Sequence, residues 1–148
     1  MERYPWELRD PGAAVEAIAR QHVLRPGQVV VGLFELPSSI QRLLDTALVF
    51  EGDHAPTDVR DCAWLIDQAA HQVFGPRLVV GEPRHAFVTV VVRHGSLEIL
   101  DDDRRWLLGW QHADHRLPAY TGELFVFTEQ GWRSPAHPLR GHHPVFAA

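Results

Sequence analysis

The chain has 148 residues, of which 45% are hydrophobic and 22% charged, and its formal net charge is −5; this composition predicts one globular domain over residues 1–148 that needs no metal ion or disulfide to fold. It contains fourteen arginines but no lysine and no asparagine, which excludes pyridoxal-phosphate and other lysine Schiff-base enzymes, P-loop nucleotide hydrolases and N-glycosylation. Because the codons of both missing residues begin with two adenines, the bias indicates a bacterial genome of high G+C content.

The N-terminal half is expected to contain three helices around one strand. Asp10 is followed by a proline and by apolar residues at helical spacing, which predicts a helix over 11–23. The continuous apolar run at 29–34 is typical of a central strand that is buried on both faces. A serine–glutamine capping pair and an apolar stripe predict a second helix over 38–48, and the clearest pattern predicts a third over 57–74, with Thr57 as its N-cap.

The C-terminal half is richer in β-branched and aromatic residues. Three short runs separated by turn residues predict an antiparallel meander, with strands over 78–80, 86–92 and 97–100. Segment 101–111 starts with three acidic residues, which favours a helix, although its alternating apolar residues would also fit a strand. A last strand is expected over 124–127, followed by an irregular proline- and histidine-containing tail from about residue 134. We therefore predict an α+β fold in which three N-terminal helices surround one buried strand and pack on a largely antiparallel C-terminal β-meander.

Cys62 is the only cysteine, so the chain can form no internal disulfide and nothing indicates an oxidising compartment. The first residues show no basic segment followed by an apolar one, and no apolar run approaches the ~18 residues of a membrane span. We therefore expect a cytoplasmic protein without membrane contacts. Cys62 lies on the apolar stripe of the third predicted helix, which favours an inert core residue over a nucleophile.

The second half of the chain contains a group of arginines interspersed with aromatic residues. Its members outside the predicted binding residues given below are Arg84, Arg116, Tyr120 and Trp132. Both residue types are enriched at binding hot spots, and together they can also stack on single-stranded nucleic acid. A net charge of −5 and a sequence pI near 6.0 argue against nucleic acid. We therefore expect a non-catalytic binding or regulatory module that contacts another protein or a second copy of itself through Arg93, Arg104, Arg105, Trp106 and Trp110. The alternative for the tryptophans is that they fill the core.

A metal-dependent hydrolase is the alternative function, since His112 and His115 share one face of a helix and could hold a metal ion together with Asp101 or Asp103. Ten histidines in a chain of this length give roughly 0.7 pairs at any fixed spacing by chance, so the pair alone is weak support. The acidic run also fits a helix N-terminus. No cofactor is predicted outside this alternative, and a small-molecule pocket between helices and sheet stays open.

Overall fold

The computed structural model of the chain describes residues 4–142. Over this range the chain forms helices and strands in the order α1 (Pro11–Gln21), β1 (Gln28–Glu35), β2 (Arg42–Glu51), α2 (Val59–Phe74), β3 (His85–Val92), α3 (Asp101–His112), β4 (Tyr120–Thr128), β5 (Gly131–Arg133) and β6 (Arg140–Gly141). The strands join one mixed sheet in the order β2-β1-β3-β4-β5-β6, in which β3 and β4 run parallel and all other neighbours antiparallel. Within residues 4–142, no helix is long and apolar enough to cross a membrane.

The sheet lies between helices on both of its faces. On one face, α1 contributes Ile18 to an apolar cluster with Val30 and Phe125. On the other face, α2 and α3 share a second cluster with alternate residues of the same inner strands, including Val31, Val91 and Leu124. Because successive residues of a strand point to opposite faces, strands that are covered on both sides must be apolar along their whole length. This explains the continuous apolar runs of β1, β3 and β4.

The predicted arrangement of three N-terminal helices packed on an antiparallel meander is wrong, although the fold is α+β. The helices are interleaved with the strands, and α3 connects β3 to β4. Parallel neighbours cannot be joined by a tight turn and need a long crossover, which α3 supplies. The predicted antiparallel meander is therefore wrong for β3 and β4, which are parallel neighbours joined by a helical crossover.

The second predicted helix, over 38–48, is instead the edge strand β2. Its pairing with β1 contains two register shifts, which leave Leu44 and Val49 as extra residues between paired positions. Each bulge reverses the alternation of faces, so Leu43 packs against the α1 cluster, whereas Ala47 belongs to the α2–α3 cluster. The two bulges interrupt the alternation of apolar and polar residues in β2, and the resulting spacing of apolar residues resembles that of a helix.

The predicted strands over 78–80 and 97–100 are also absent. Segment 78–80 has no regular secondary structure and pairs with no strand in the described part of the chain. In the second segment and just before it, the carbonyl groups of Glu98 and Ser96 accept hydrogen bonds from the Arg93 guanidinium at 2.8 and 2.7 Å. These carbonyls therefore bond to a side chain instead of a neighbouring strand.

The remaining predicted elements are present with small changes of boundary. The predicted helices over 11–23 and 101–111 correspond to α1 and α3, and the predicted strands over 29–34, 86–92 and 124–127 lie within β1, β3 and β4. α2 is capped by Asp58, whose carboxylate accepts a hydrogen bond from the amide of Arg60 at 2.8 Å, and not by Thr57. The tail after residue 134 is irregular except for β6, and Pro144 lies outside the described residues.

Candidate functional site

The two tryptophans of the predicted binding surface lie in the core. Trp106 is 2% exposed and Trp110 is 8% exposed, and both belong to the cluster beneath α2 and α3. The ring of Trp106 packs against Phe50 of β2 with 5.5 Å between centroids. The structure therefore places these side chains where the alternative interpretation, core filling, puts them.

The guanidinium of Arg93 is also turned inward. It donates to the carboxylate of Asp103 at 2.9–3.2 Å, and to the carbonyl groups of His94, Ser96 and Glu98 at 2.7–3.1 Å. Asp103 is completely buried and also accepts a hydrogen bond from the Leu100 amide at 2.9 Å. Arg93 thus connects the end of β3 to the start of α3.

The two neighbouring arginines of the predicted surface lie on α3 and pair with acidic residues of its first turn. Arg104 is exposed and lies 3.2 Å from the carboxylate of Asp101. Arg105 is less exposed and pairs with Asp102. The five predicted binding residues therefore form no shared exposed surface, and a binding role for them stays a prediction.

The residues of the alternative metal site do not converge. Asp101 and His112 occupy opposite ends of α3, about 16 Å apart at 1.5 Å per residue. The ring of His115 packs edge-on against Phe87, and its Nδ1 accepts a hydrogen bond from the Leu117 amide at 2.9 Å. Within residues 4–142, no group of three histidine, cysteine or acidic side chains could hold a metal ion.

A different polar cluster is built around the buried carboxylate of Glu123 in β4, which is 7% exposed. One oxygen of this carboxylate, Oε1, accepts a hydrogen bond from the hydroxyl of Ser134 at 2.6 Å. The other, Oε2, lies 2.7 Å from Nδ1 of His137, whose side chain is about half exposed. The cluster joins β4 to the segment that follows β5.

Local backbone features bring these side chains together. The pairing of β3 with β4 is shifted by one residue between Tyr120 and Glu123, a stretch that includes Gly122, whose φ is +76°. A bulge of this kind turns the next side chain towards a new direction, here the α1 face. Ser134 begins a turn by accepting hydrogen bonds from the amides of Ala136 and His137 at 3.2 and 3.1 Å, which returns His137 to Glu123.

His137 and Glu123 lie at one side of a cleft of about 260 Å³, which we call the His137 cleft. Its other walls come from the N-terminal segment, the start of α1 and the segment before β6, and include Trp6, Leu8, Pro11 and Leu139. The indole of Trp6 is stacked on Tyr4, with 4.7 Å between centroids and 5° between planes. The cleft therefore combines an aromatic and aliphatic wall with one carboxylate–imidazole pair.

The hydrogen bond to Glu123 determines what the imidazole of His137 can do. An ionised carboxylate only accepts hydrogen bonds, so Nδ1 must carry the hydrogen and Nε2 of a neutral ring must hold the lone pair. Among the described residues, Nε2 of His137 has no hydrogen-bond partner. It can accept a hydrogen bond, or take a proton, from a molecule in the cleft.

None of these residues was identified from the sequence. Glu123 is the one acidic residue at the start of an otherwise apolar strand, and His137 lies between prolines in an irregular segment. The two residues are fourteen positions apart in the sequence, and this spacing of a glutamate and a histidine matches no catalytic or ligand-binding motif with a known mechanism. The isolated carboxylate beside an apolar run was the only signal, and it is a weak one.

Comparison of the chain with protein-family models, with curated protein sequences and with solved structures gives no match. The function must therefore be inferred from the geometry of the chain itself.

Proposed function

We propose that the protein is a binding module whose ligand is a small planar molecule bearing an N–H or O–H group, held in the His137 cleft. The observation that carries the proposal is the 2.7 Å contact between Nδ1 of His137 and the buried carboxylate of Glu123, which leaves Nε2 as an acceptor at the cleft. A buried carboxylate that orients an imidazole is costly unless it is satisfied, and here three donors satisfy it.

The walls of the cleft support the chemistry of this ligand. Trp6 offers an aromatic surface, and Leu8, Pro11 and Leu139 add apolar contacts of the kind that line most small-molecule sites. Glu7 lines the cleft as well as Glu123, and these two carboxylates favour a ligand with a hydrogen-bond donor over an anion. A ring of six to nine atoms with one donor would use both parts of the site.

Binding is favoured over hydrolysis because of how Ser134 is bonded. In an acyl-transfer triad the serine hydroxyl contacts the imidazole, and the carboxylate contacts the other ring nitrogen. Here the hydroxyl of Ser134 donates to Glu123 and accepts from two backbone amides. Ser134 therefore positions the carboxylate and is not placed as a nucleophile.

The test compares phenol with anisole, which has the same ring but no donor, by two-dimensional ¹H–¹⁵N NMR. We expect phenol to shift the Trp6 indole signal, assigned with a W6F variant, with millimolar affinity and about two- to tenfold more tightly than anisole. H137A should remove this discrimination. The matched control is H94A, because His94 is a similarly exposed histidine beside a glutamate, Glu129, with 3.7 Å between Nδ1 and Oε2.

Loss of the phenol preference in H137A together with its retention in H94A would support the proposal. Equal binding of phenol and anisole to the natural protein would overturn it. So would shifts that map outside the His137 cleft, or a phenol preference that survives in H137A.

A further inference from the structure

A second cavity of about 280 Å³ lies at the other helical face of the sheet, where β1 ends and β3 begins. We call it the His85 cavity, because His85 lines it together with Leu36, Arg84 and the segment 78–80 that follows α2. None of these residues lines the His137 cleft. The cavity is therefore a separate site, whose ligand does not depend on the function proposed above.

The outer wall of the His85 cavity is unusually apolar for a surface. Leu78 is 96% exposed and Val80 is 91% exposed, while Val79 between them packs against the core. Large aliphatic side chains that stand almost fully in water and line the same cavity mark a contact site more often than a structural one. This wall can cover a flexible hydrocarbon group.

One residue of the inner wall, His85, carries a polar atom without a hydrogen-bond partner among the described residues. His85 is 8% exposed, its ring packs edge-on against Phe74, and its Nδ1 is buried without a hydrogen-bond partner in residues 4–142. Buried polar atoms are nearly always bonded, so an orphaned one beside a cavity indicates a missing partner. Burial lowers the pKa of His85; the charge of Glu35 opposes this shift, and those of Arg77 and Arg84 add to it. The ring is therefore neutral near pH 7 and offers one N–H donor.

The charges around the cavity favour an anion. Glu35 lies at the rim, but Arg42 pairs with its carboxylate at 3.0 Å. Arg84 is exposed, and its guanidinium makes no ion pair or hydrogen bond with another described residue. One guanidinium without a described partner therefore stands beside a carboxylate that is already paired with Arg42, and a carboxylate ligand can complete this arrangement.

The backbone holds Arg84 at this position at the expense of local strain. The amide of Leu36 donates to the carbonyl of Arg84 at 2.7 Å, and Leu36 itself has a φ of +50°. A bulky residue in this left-handed region is rare and strained, and such strain is concentrated at functional sites. The wall of the cavity is thus fixed in a conformation that a relaxed loop would avoid.

We propose that the His85 cavity binds a small organic anion with an apolar chain, such as a medium-chain monocarboxylate. The guanidinium of Arg84 would hold the carboxylate, and the chain would lie against Leu36, Leu78 and Val80. The volume suits such a molecule, since about 280 Å³ equals roughly nine waters of ~30 Å³ each.

The test is a ¹H–¹⁵N NMR titration of the full chain with three probes: hexanoate, hexylammonium, which has the same chain and opposite charge, and acetate, which has the charge without the chain. We expect hexanoate to give saturable shifts at 78–80 and at Arg84 and His85, with millimolar affinity. R84Q should weaken hexanoate about tenfold. R140Q is the matched control, because Arg140 is also exposed and its guanidinium has no described partner.

A second variant, L78S/V80S, separates the apolar contribution from the charge. It changes two solvent-exposed side chains, so the fold should persist, and hexanoate should then bind no more tightly than acetate. Equal affinity for hexanoate and hexylammonium would overturn the proposal. It would also be overturned if R84Q and R140Q weakened hexanoate equally, or if the shifts at 78–80 followed protein concentration instead of hexanoate, as pairing of this segment between two copies would produce.

Discussion

Arg93 and Asp103 form a buried ion pair in which Nε and Nη2 of the guanidinium lie 3.0 and 2.9 Å from the two carboxylate oxygens. The carboxylate is completely buried and the arginine side chain is 14% exposed. The same guanidinium binds three carbonyl groups of the connection between β3 and α3. One arginine therefore ties the connection between β3 and α3, the first part of the crossover to β4, to the start of α3.

Replacing Arg93 by methionine should strongly destabilise the protein. The variant keeps the aliphatic stem but leaves Asp103 as an uncompensated buried charge, which costs about 3–5 kcal/mol. Urea unfolding monitored by tryptophan fluorescence measures the loss. R104M is the control, because the exposed pair of Arg104 with Asp101 should contribute no more than about 1 kcal/mol. A loss below 1 kcal/mol in R93M would show that the pair does not stabilise the crossover.

The sequence predicted most elements but not their arrangement, and the reasons are specific. The runs of β1, β3 and β4 were recognisable because each strand is covered on both faces. β2 was missed because Leu44 and Val49 are bulged residues that break the period of two. The parallel pairing of β3 with β4 needs a crossover whose course is set by contacts such as that of Arg93 with Asp103, ten residues later, and no local sequence pattern marks these contacts.

The candidate site was even less accessible to sequence reasoning. Arginines and tryptophans were expected at the surface because they are common at interfaces, yet Asp103, Trp106 and Trp110 share one buried stripe of α3. Glu123 and His137 come from a strand and a distant turn, so only the folded chain brings them to 2.7 Å. Pairs of this kind are determined by tertiary structure, which no single-sequence pattern contains.

Gly109 should be intolerant of a side chain, because α2 and α3 approach closely there. A Cβ at this position would lie 2.6 Å from Cβ of Cys62 and 3.0 Å from the amide nitrogen of Ala63. G109A must therefore separate the helices, and we expect it to lose about 1–3 kcal/mol in urea unfolding. In G12A, a Cβ would make ordinary contacts of 3.5 and 3.6 Å, so its stability should change by less than about 1 kcal/mol. Equal stability of the two variants would contradict this packing.

Cys62 should be unreactive in the folded protein. Its side chain is fully buried, and burial, which outweighs the nearby charge of Arg105, raises the pKa of the thiol to about 11. At pH 8 only about one thiol in a thousand would be ionised, and the thiolate is the nucleophile. We expect iodoacetamide to leave the native chain unmodified, by intact mass, over a time that alkylates the chain completely in concentrated urea. Native modification at a similar rate would show that α2 opens readily.

Acid should destabilise the fold through two histidines, the buried His85 and the partly buried His115. Burial lowers the pKa of both His85 and His115 below the ordinary value, so the native rings stay neutral where unfolded ones take up protons. Their stabilising contribution is fully present above the unfolded pKa of about 6.5 and is lost as the pH falls from there towards the lowered native values. The midpoint of thermal unfolding should therefore fall between pH 7.5 and 5.5, with uptake of up to two protons. H85F and H115F should each reduce this slope, whereas H94Q, which changes an exposed ring, should not. A pH slope that is the same in all four proteins would assign the acid sensitivity to other groups.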